Sequence, residues 1–190
     1  MTNGKNKTKV VSVYTNAKDV ELTLNGKSLG KQPVSKYDKA TFVVEFEAGT
    51  LKAVGGGVSD EVVTAGAAAA LALVVETKET LDADGADVSL LTAFVNDKDG
   101  NVVLGDAPTL KFEVSGACSL LGLGNGDPTD HSVEGTLGTK ERRTYGGLAR
   151  AIIQSTHVAG EITVTVKDTK GALKPATVTL KSVKPVRNQI

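Results

Sequence analysis

Residues 121–129 read Leu-Gly-Leu-Gly-Asn-Gly-Asp-Pro-Thr, and this glycine-rich stretch lies between two segments of β-strand character. Glycine, Asn-Gly and Asp-Pro favour tight turns because they tolerate or fix the backbone angles that turns need. The stretch therefore predicts a loop that joins two strands. A loop of this composition can also cradle a phosphate or hold an ion, and its spacing distinguishes these roles.

The glycine loop fails the spacing test for a phosphate site. Gly122, Gly124 and Gly126 form GxGxG rather than GxGxxG, and Asp127-Pro128 follows where a helix with free N–H groups is needed. An aspartate at that point would repel phosphate, and the chain contains no GKS or GKT motif. We therefore predict no nucleotide and no other cofactor.

A second acidic turn runs from Asp97 through Asp99 to Asn101 and has the alternating ligand types of a calcium loop. Val102 occupies the sixth position, where an EF-hand needs glycine, and Pro108 occupies the twelfth, where it needs glutamate. We interpret the segment as a hairpin turn. A looser calcium site that uses backbone carbonyls stays open as an alternative.

The remaining reactive residue types give no catalytic or metal-binding constellation. Cys118 is the single cysteine, and its apolar neighbours predict a buried, inert thiol. His131 and His157 are isolated in sequence, whereas triads and zinc sites need several converging groups. The acidic residues occupy turns or outward strand positions, although a meeting of two loops could still pair two carboxylates. We predict no catalytic and no metal-binding residue.

Composition excludes several classes of partner. The chain has 190 residues with 22 basic and 22 acidic side chains, so its net charge does not favour nucleic acid or an anionic membrane. No apolar run approaches the ~18 residues of a membrane-spanning helix, and the polar start lacks the apolar core of a signal peptide. We expect no nucleic-acid partner, no membrane insertion and no export signal in these residues.

Strand signals dominate the first third of the chain. Val20, Leu22 and Leu24 alternate with polar residues, and Asn25-Gly26 then favours a type I′ hairpin turn. Further short strands are predicted up to about Ala65, with Gly55-Gly56-Gly57 as a turn. Residues 9–68 are predicted to form a small immunoglobulin-like β-sandwich, preceded by residues 1–8 as a disordered start or one added for expression.

A change to small residues at Gly66 to Ala70 marks a predicted domain boundary. The alanine run is too short for a stable helix, so we interpret it as a junction. Residues 69–184 then predict a second immunoglobulin-like sandwich, and residues 185–190 a tail. The fold class is therefore all-β, with two tandem β-sandwich domains. Its predicted strands are Leu71–Glu76, Val88–Val95, Leu110–Val114, Ser119–Leu123, Leu148–Ile153, Ile162–Val166 and Ala176–Leu180.

Several motifs in both halves carry a family resemblance. They are Val13-Tyr14-Thr15-Asn16, Leu24-Asn25-Gly26-Lys27, Asp97-Lys98-Asp99-Gly100-Asn101, Gly122-Leu123-Gly124-Asn125-Gly126-Asp127-Pro128-Thr129 and Ala151-Ile152-Ile153-Gln154-Ser155-Thr156. In order and spacing the chain resembles the fourth and fifth, immunoglobulin-like domains of bacterial glycoside hydrolase family 2 enzymes of the β-galactosidase type. It departs from the family at Tyr145, where phenylalanine is usual, and at Gly146-Gly147, which replaces Asn-Gly.

The resemblance implies a noncatalytic C-terminal region. The family's two catalytic glutamates lie on a β/α barrel, and a barrel of ~250 residues does not fit in a chain already occupied by strands. The implied partners are the catalytic and N-terminal domains of a parent enzyme. Because relatives are often exported, the resemblance also implies a periplasmic or extracellular location.

Carbohydrate binding is the alternative function, because sugar-binding sandwiches stack pyranose rings on exposed aromatic rings. Phe42, Phe46, Phe94 and Phe112 fall on strand faces predicted to be core. The candidate ligand-binding residues are therefore Tyr14 beside Asn16, and Tyr145 near Asn125 and Asp127 if their loops meet. A cell-surface adhesion module is a third hypothesis, which rests on fold-level similarity alone.

Overall fold

The computed structural model describes residues 8–130 and 140–185, which contain fifteen β-strands and no helix. Backbone packing divides the chain into two compact units between Thr64 and Ala65. No helix in the described ranges is long and apolar enough to cross a membrane. The all-β prediction is confirmed by this architecture.

The first unit is a small sandwich of two sheets. One sheet has the order β1-β4 and the other the order β3-β2-β5-β6. Asn25 and Gly26, which join β2 to β3, both have positive φ, so the predicted type I′ turn is confirmed. The core consists of Val20, Leu22, Ala40, Phe42 and Val44. The six strands are β1 (Thr8–Tyr14), β2 (Asp19–Leu24), β3 (Lys27–Pro33), β4 (Lys39–Glu45), β5 (Thr50–Gly55) and β6 (Val58–Val63).

The second unit is a larger sandwich. Its sheets have the strand orders β11-β13-β9-β7 and β12-β10-β14-β15-β8. Side chains alternate along these strands, and the inward set forms the core around Phe112, Leu91, Ile153 and Val164. The nine strands are β7 (Ala70–Val75), β8 (Thr80–Asp82), β9 (Val88–Asn96), β10 (Thr109–Gly116), β11 (Cys118–Gly124), β12 (Glu141–Arg143), β13 (Leu148–Ser155), β14 (Gly160–Asp168) and β15 (Ala176–Val183).

The junction between the units has no regular structure from Thr64 to Ala69, so the interpretation of the alanine run as a junction rather than a helix is confirmed. The division by packing falls four residues before the predicted boundary at 68/69. The physical reason is that Ala65 and Ala68 already pack against the core of the second unit.

Two of the four phenylalanines were wrongly predicted to be core. Phe42 and Phe112 are buried as expected, whereas Phe46 is 55% exposed because it lies just beyond the end of β4. Phe94 is only half-buried, because it lies on β9 between the inward residues Ala93 and Val95 and faces away from the core.

Candidate functional site

The glycine loop follows β11 and is organised by the side chain of Asn125. The Asn125 amide nitrogen donates to Asp130 Oδ2 at 2.7 Å and to the Arg143 carbonyl at 3.0 Å. Its oxygen accepts from the Asp127 N–H at 3.0 Å and from Arg142 Nη2 at 3.3 Å. An asparagine amide has two donor hydrogens and two acceptor lone pairs, so these bonds use its full capacity.

Asn125 also links the two sheets of the second unit. Strand β11 belongs to the four-stranded sheet, while Arg142 and Arg143 lie on β12 at the edge of the five-stranded sheet. The bond from Asn125 to the Arg143 carbonyl therefore crosses from one sheet to the other at this end of the sandwich. The loop acts as a clamp between sheets.

The acidic residues of the loop are engaged in the same network. The Thr129 hydroxyl and backbone N–H both bond to Asp127 Oδ1, at 2.7 and 2.9 Å. These bonds, with the Thr129 side chain first, lower the pKa of Asp127. Asp130 lies 3.4 Å from the Arg142 guanidinium in an ion pair. The loop therefore engages both carboxylates in internal contacts.

Arg142, a buried charged residue of this network, was not predicted from the sequence. It is only 3% exposed although it lies between the exposed residues Glu141 and Arg143. A buried guanidinium needs carboxylate or amide partners, and Asp130 and Asn125 are two of them. Glu141, Arg142 and Arg143 are three charged residues in a row, so the sequence gives no signal that one arginine points inward.

Tyr145 lies at the start of a tight turn formed by Gly146 and Gly147. Both glycines have positive φ, the geometry that an Asn-Gly pair adopts in a type I′ turn, so the departure from the family motif keeps the turn. Tyr145 and Leu148 exchange both backbone hydrogen bonds across it. The Tyr145 ring is 52% exposed. Its loop meets the glycine loop through Arg143, two residues before it.

A shallow groove of about 320 Å³ lies beside the glycine loop. Its lining consists of Thr92, Gly124, Asn125, Gly126, Leu148, Ala149 and Arg150. Neither Tyr145 nor Asp127 contributes to this lining. The structure therefore brings Asn125 and Asp127 together through a hydrogen bond, whereas Tyr145 and Asp127 both lie outside this groove.

Tyr14 and Asn16, the other candidate ligand-binding residues, lie at the end of β1 in the first unit. The Tyr14 ring is 76% exposed, and Lys39 Nζ lies 5.6 Å from its centroid. Such a cation–π contact is typical of a surface pair on neighbouring strands. Asn16 is exposed in the turn that follows β1. An aromatic ring and an amide are thus both accessible at this point.

The acidic turn at Asp97 is a hairpin turn, as predicted. Asn96 and Val102 face each other across it, and Gly100 has positive φ. The buried Asp97 carboxylate accepts the backbone N–H groups of Gly66, Asp99 and Asn101. These bonds, led by the one from Gly66, hold the Asp97 pKa well below its ordinary value. The carboxylate organises the turn from inside.

The sequence also singled out Cys118, His131 and His157 as reactive side chains. Burial raises the pKa of the Cys118 thiol, which disfavours the reactive thiolate. His157 is exposed and its ring packs against Gly85, while His131 lies outside the described residues. Within residues 8–130 and 140–185, no cluster of three or more His, Cys, Asp or Glu side chains could hold a metal ion.

Comparison with known proteins agrees with this double sandwich. Residues 71–179 match the family model described as glycoside hydrolase family 2 C-terminal domain 5. Residues 6–64 match a domain of unknown function, DUF4982. The fold and the family match together define a C-terminal β-sandwich region, and the chain belongs to glycoside hydrolase family 2.

Individual relatives support the same assignment. The chain is 32% identical over 161 residues to beta-galactosidase BoGH2A of Bacteroides ovatus, covering 80% of this chain and 18% of that protein. A glycosyl hydrolase family 2 member from Bacteroides cellulosilyticus superposes with a TM-score of 0.87 at 30% identity, covering 97% of this chain and 24% of the other. A beta-glycosidase from Bacteroides vulgatus gives 0.84 at 30% identity, covering 94% and 23%. The chain spans about a fifth to a quarter of these relatives.

Proposed function

We propose that the chain is the noncatalytic C-terminal region of a β-galactosidase-type enzyme, which supports the catalytic barrel or the assembly of that enzyme. The observation that carries this proposal is the saturation of Asn125. The most site-like loop of the molecule uses both amide hydrogens and both lone pairs of this residue to join its own two sheets. A side chain engaged in this way stabilises the fold and has no donor or acceptor left to bind a ligand.

The relatives favour the same function. BoGH2A is named a beta-galactosidase and the Bacteroides vulgatus structure a beta-glycosidase, and each is several times longer than the stretch matched here. The parent would therefore supply its active site from residues beyond the match. Its location would be periplasmic or extracellular, which fractionation of cells producing the parent polypeptide tests directly.

Calorimetric titration of the 190-residue chain with β-galactosides and with plant and host glycans tests the structural role. We expect no saturable binding in the millimolar range or below, and no release of chromophore from a nitrophenyl β-galactoside. Hydrolysis by the chain alone would overturn the noncatalytic function.

Tyr14→Ala and Tyr145→Ala variants make the titration specific. Glycan binding that either variant abolishes would replace the structural role with a carbohydrate-binding module centred on that exposed ring. We expect both variants to give the same titration result as the unsubstituted 190-residue chain, namely no saturable glycan binding. Both rings are exposed, so neither change should prevent folding.

A further inference from the structure

The two sheets of the second unit have outward faces of opposite character. Arg150 is the one charged residue in the four strands β7, β9, β11 and β13. The strands of the other sheet are rich in charged residues that are exposed or half-buried, namely Asp82, Lys111, Glu113, Glu141, Arg143, Glu161, Lys167 and Lys181. A sheet of a sandwich commonly turns polar side chains to water on its outer face. The four-stranded sheet departs from this rule.

The strand register places the outward apolar residues side by side. Leu90 lies directly opposite Ile152, and Phe94 lies opposite Leu148 on one side and Ala72 on the other. Their neighbours Leu91, Ala93, Val95, Ala151 and Ile153 point into the core. We call the outward set Val74, Val88, Leu90, Phe94, Leu148 and Ile152 the apolar face. Each of its members is half-buried or exposed.

We propose that the apolar face is covered by another domain of the same, longer polypeptide. This inference rests on the proposed function, because that function supplies the neighbouring domain. A contiguous apolar patch on a protein surface marks an interaction site, since its exposure to water is unfavourable. The five-stranded sheet, with its threonine and charged outer residues, needs no such cover.

The chemistry of the face selects this occupant. Arg150 lies in the middle of it, opposite Thr92 and Gly124, and its Nε donates to Thr92 Oγ1 at 3.2 Å. If a second copy packed on this face with its two-fold axis near Arg150, the Arg150 guanidinium groups of the two copies would face and repel each other. A neighbouring domain with an apolar surface and one carboxylate complements the face instead.

A carbohydrate fits the apolar face less well. Phe94 is the single aromatic residue of the four strands, and it is half-buried between Ala72 and Leu148. A pyranose ring needs an accessible aromatic plane flanked by hydrogen-bonding side chains. The face therefore offers aliphatic area for protein packing rather than a sugar platform.

The test compares one substitution pair in two contexts. Leu90→Thr with Ile152→Thr makes the centre of the apolar face polar and places threonine, a residue with high strand propensity, at both positions. Thr163→Lys with Thr179→Glu is the matched control, an opposed pair on the outward face of the other sheet. Each double variant is made in the 190-residue chain and in the full parent polypeptide, and thermal unfolding of residues 65–185 is followed by hydrogen exchange.

We expect the Leu90→Thr, Ile152→Thr pair to lower the unfolding midpoint of this region at least about twice as much in the parent polypeptide as in the 190-residue chain, because only the parent covers the face. The control pair should change the unfolding midpoint by the same amount in the parent polypeptide and in the 190-residue chain. Hydroxyl-radical oxidation of Phe94 should also be slower in the parent.

Equal shifts in the two contexts would overturn the proposal. So would a concentration-dependent dimer of the 190-residue chain that the Leu90→Thr, Ile152→Thr pair abolishes, or glycan binding that the same pair removes. Glycan binding lost only in Tyr14→Ala or Tyr145→Ala would instead overturn the structural function while leaving this docking face intact.

Discussion

Asn125 is the residue on which the glycine loop depends. Asn125→Ala removes four hydrogen bonds and leaves the partly buried partners to find others, so we expect a loss of about 1–3 kcal/mol in the free energy of unfolding. Urea denaturation measures this loss. Asn16→Ala, at an exposed turn in the other unit, is the matched control and should change stability by less than about 0.5 kcal/mol.

The Asp97 carboxylate makes the free energy of unfolding depend on pH in the acidic range. Hydrogen bonds from Gly66, Asn101 and Asp99 lower its pKa in the folded chain. A lowered folded pKa contributes stability above the unfolded value of about 3.9, and the contribution is lost as pH falls below that value. We therefore expect Asp97→Asn to lower the urea midpoint at pH 7. The difference in midpoint between this variant and the unsubstituted chain should become smaller towards pH 3.

The exposed Asp99 provides the comparison for this pH effect. Asp99→Asn removes a carboxylate from the same turn, where it pairs with Lys98 at the surface. We expect its urea midpoint to follow that of the parent chain at both pH values. A difference between Asp97→Asn and the parent that stays constant from pH 7 to pH 3 would contradict the role given to the buried carboxylate.

Among the elements, the β-turn between Tyr145 and Leu148 is tightly constrained. A Cβ on Gly147 would lie 2.5 Å from the Val103 carbonyl oxygen, and its φ is +77°. Gly147→Ala should therefore cost more than the roughly 1–2 kcal/mol of a left-handed backbone alone, as thermal unfolding would show. The neighbouring Gly146 has φ +56° and room for a side chain, so Gly146→Asn should be close to neutral.

Strand prediction succeeded where side chains alternate clearly. The Val20-Leu22 pattern with Asn25-Gly26, and the run from Ile162 to Val166, each identify a strand with one buried face. The three-residue strands β8 and β12 were missed because so few residues establish no period. Their places are set by pairing with β15 and β10, which are distant in sequence.

The direction of each strand face was harder to predict than the strand itself. In β9 apolar residues follow one another almost without interruption, so alternation does not say which set points inward. Phe94 was assigned to the core for that reason and lies outside it. The surroundings of the candidate residue Asn125 were equally hard to predict, because Asn125 and Arg142 meet only through the folding of two sheets.

At the scale of the whole molecule, the two units have very unequal cores. Five buried apolar residues form the first core, whereas eighteen form the second. Phe42→Ala removes the largest side chain of the smaller core and should destabilise residues 8–64 by about 3–5 kcal/mol, close to the entire stability of so small a domain. Hydrogen exchange should then be fast in residues 8–64, with residues 65–185 in the same sample as the reference.

The family assignment and the molecular surface lead to one account of this chain. Its second unit matches a C-terminal domain of glycoside hydrolase family 2, and its site-like loop is occupied by internal contacts. Under the proposed structural role, this region acts through its contacts with the rest of a larger enzyme. In our proposal the apolar face makes those contacts and the charged five-stranded sheet faces water.

The parallel pairing of β8 with β15 has a consequence for biosynthesis. Thr80–Asp82 hydrogen-bonds to Lys181–Val183, so the second sandwich joins residues from near its beginning to residues near its end. Strand β15 must emerge from the ribosome before β8 and β14 gain their shared neighbour. Until then the nascent chain exposes unpaired strand edges, which attract other chains. Closure of this domain is therefore a late event in its own synthesis, because β8 stays without its partner until β15 has been made.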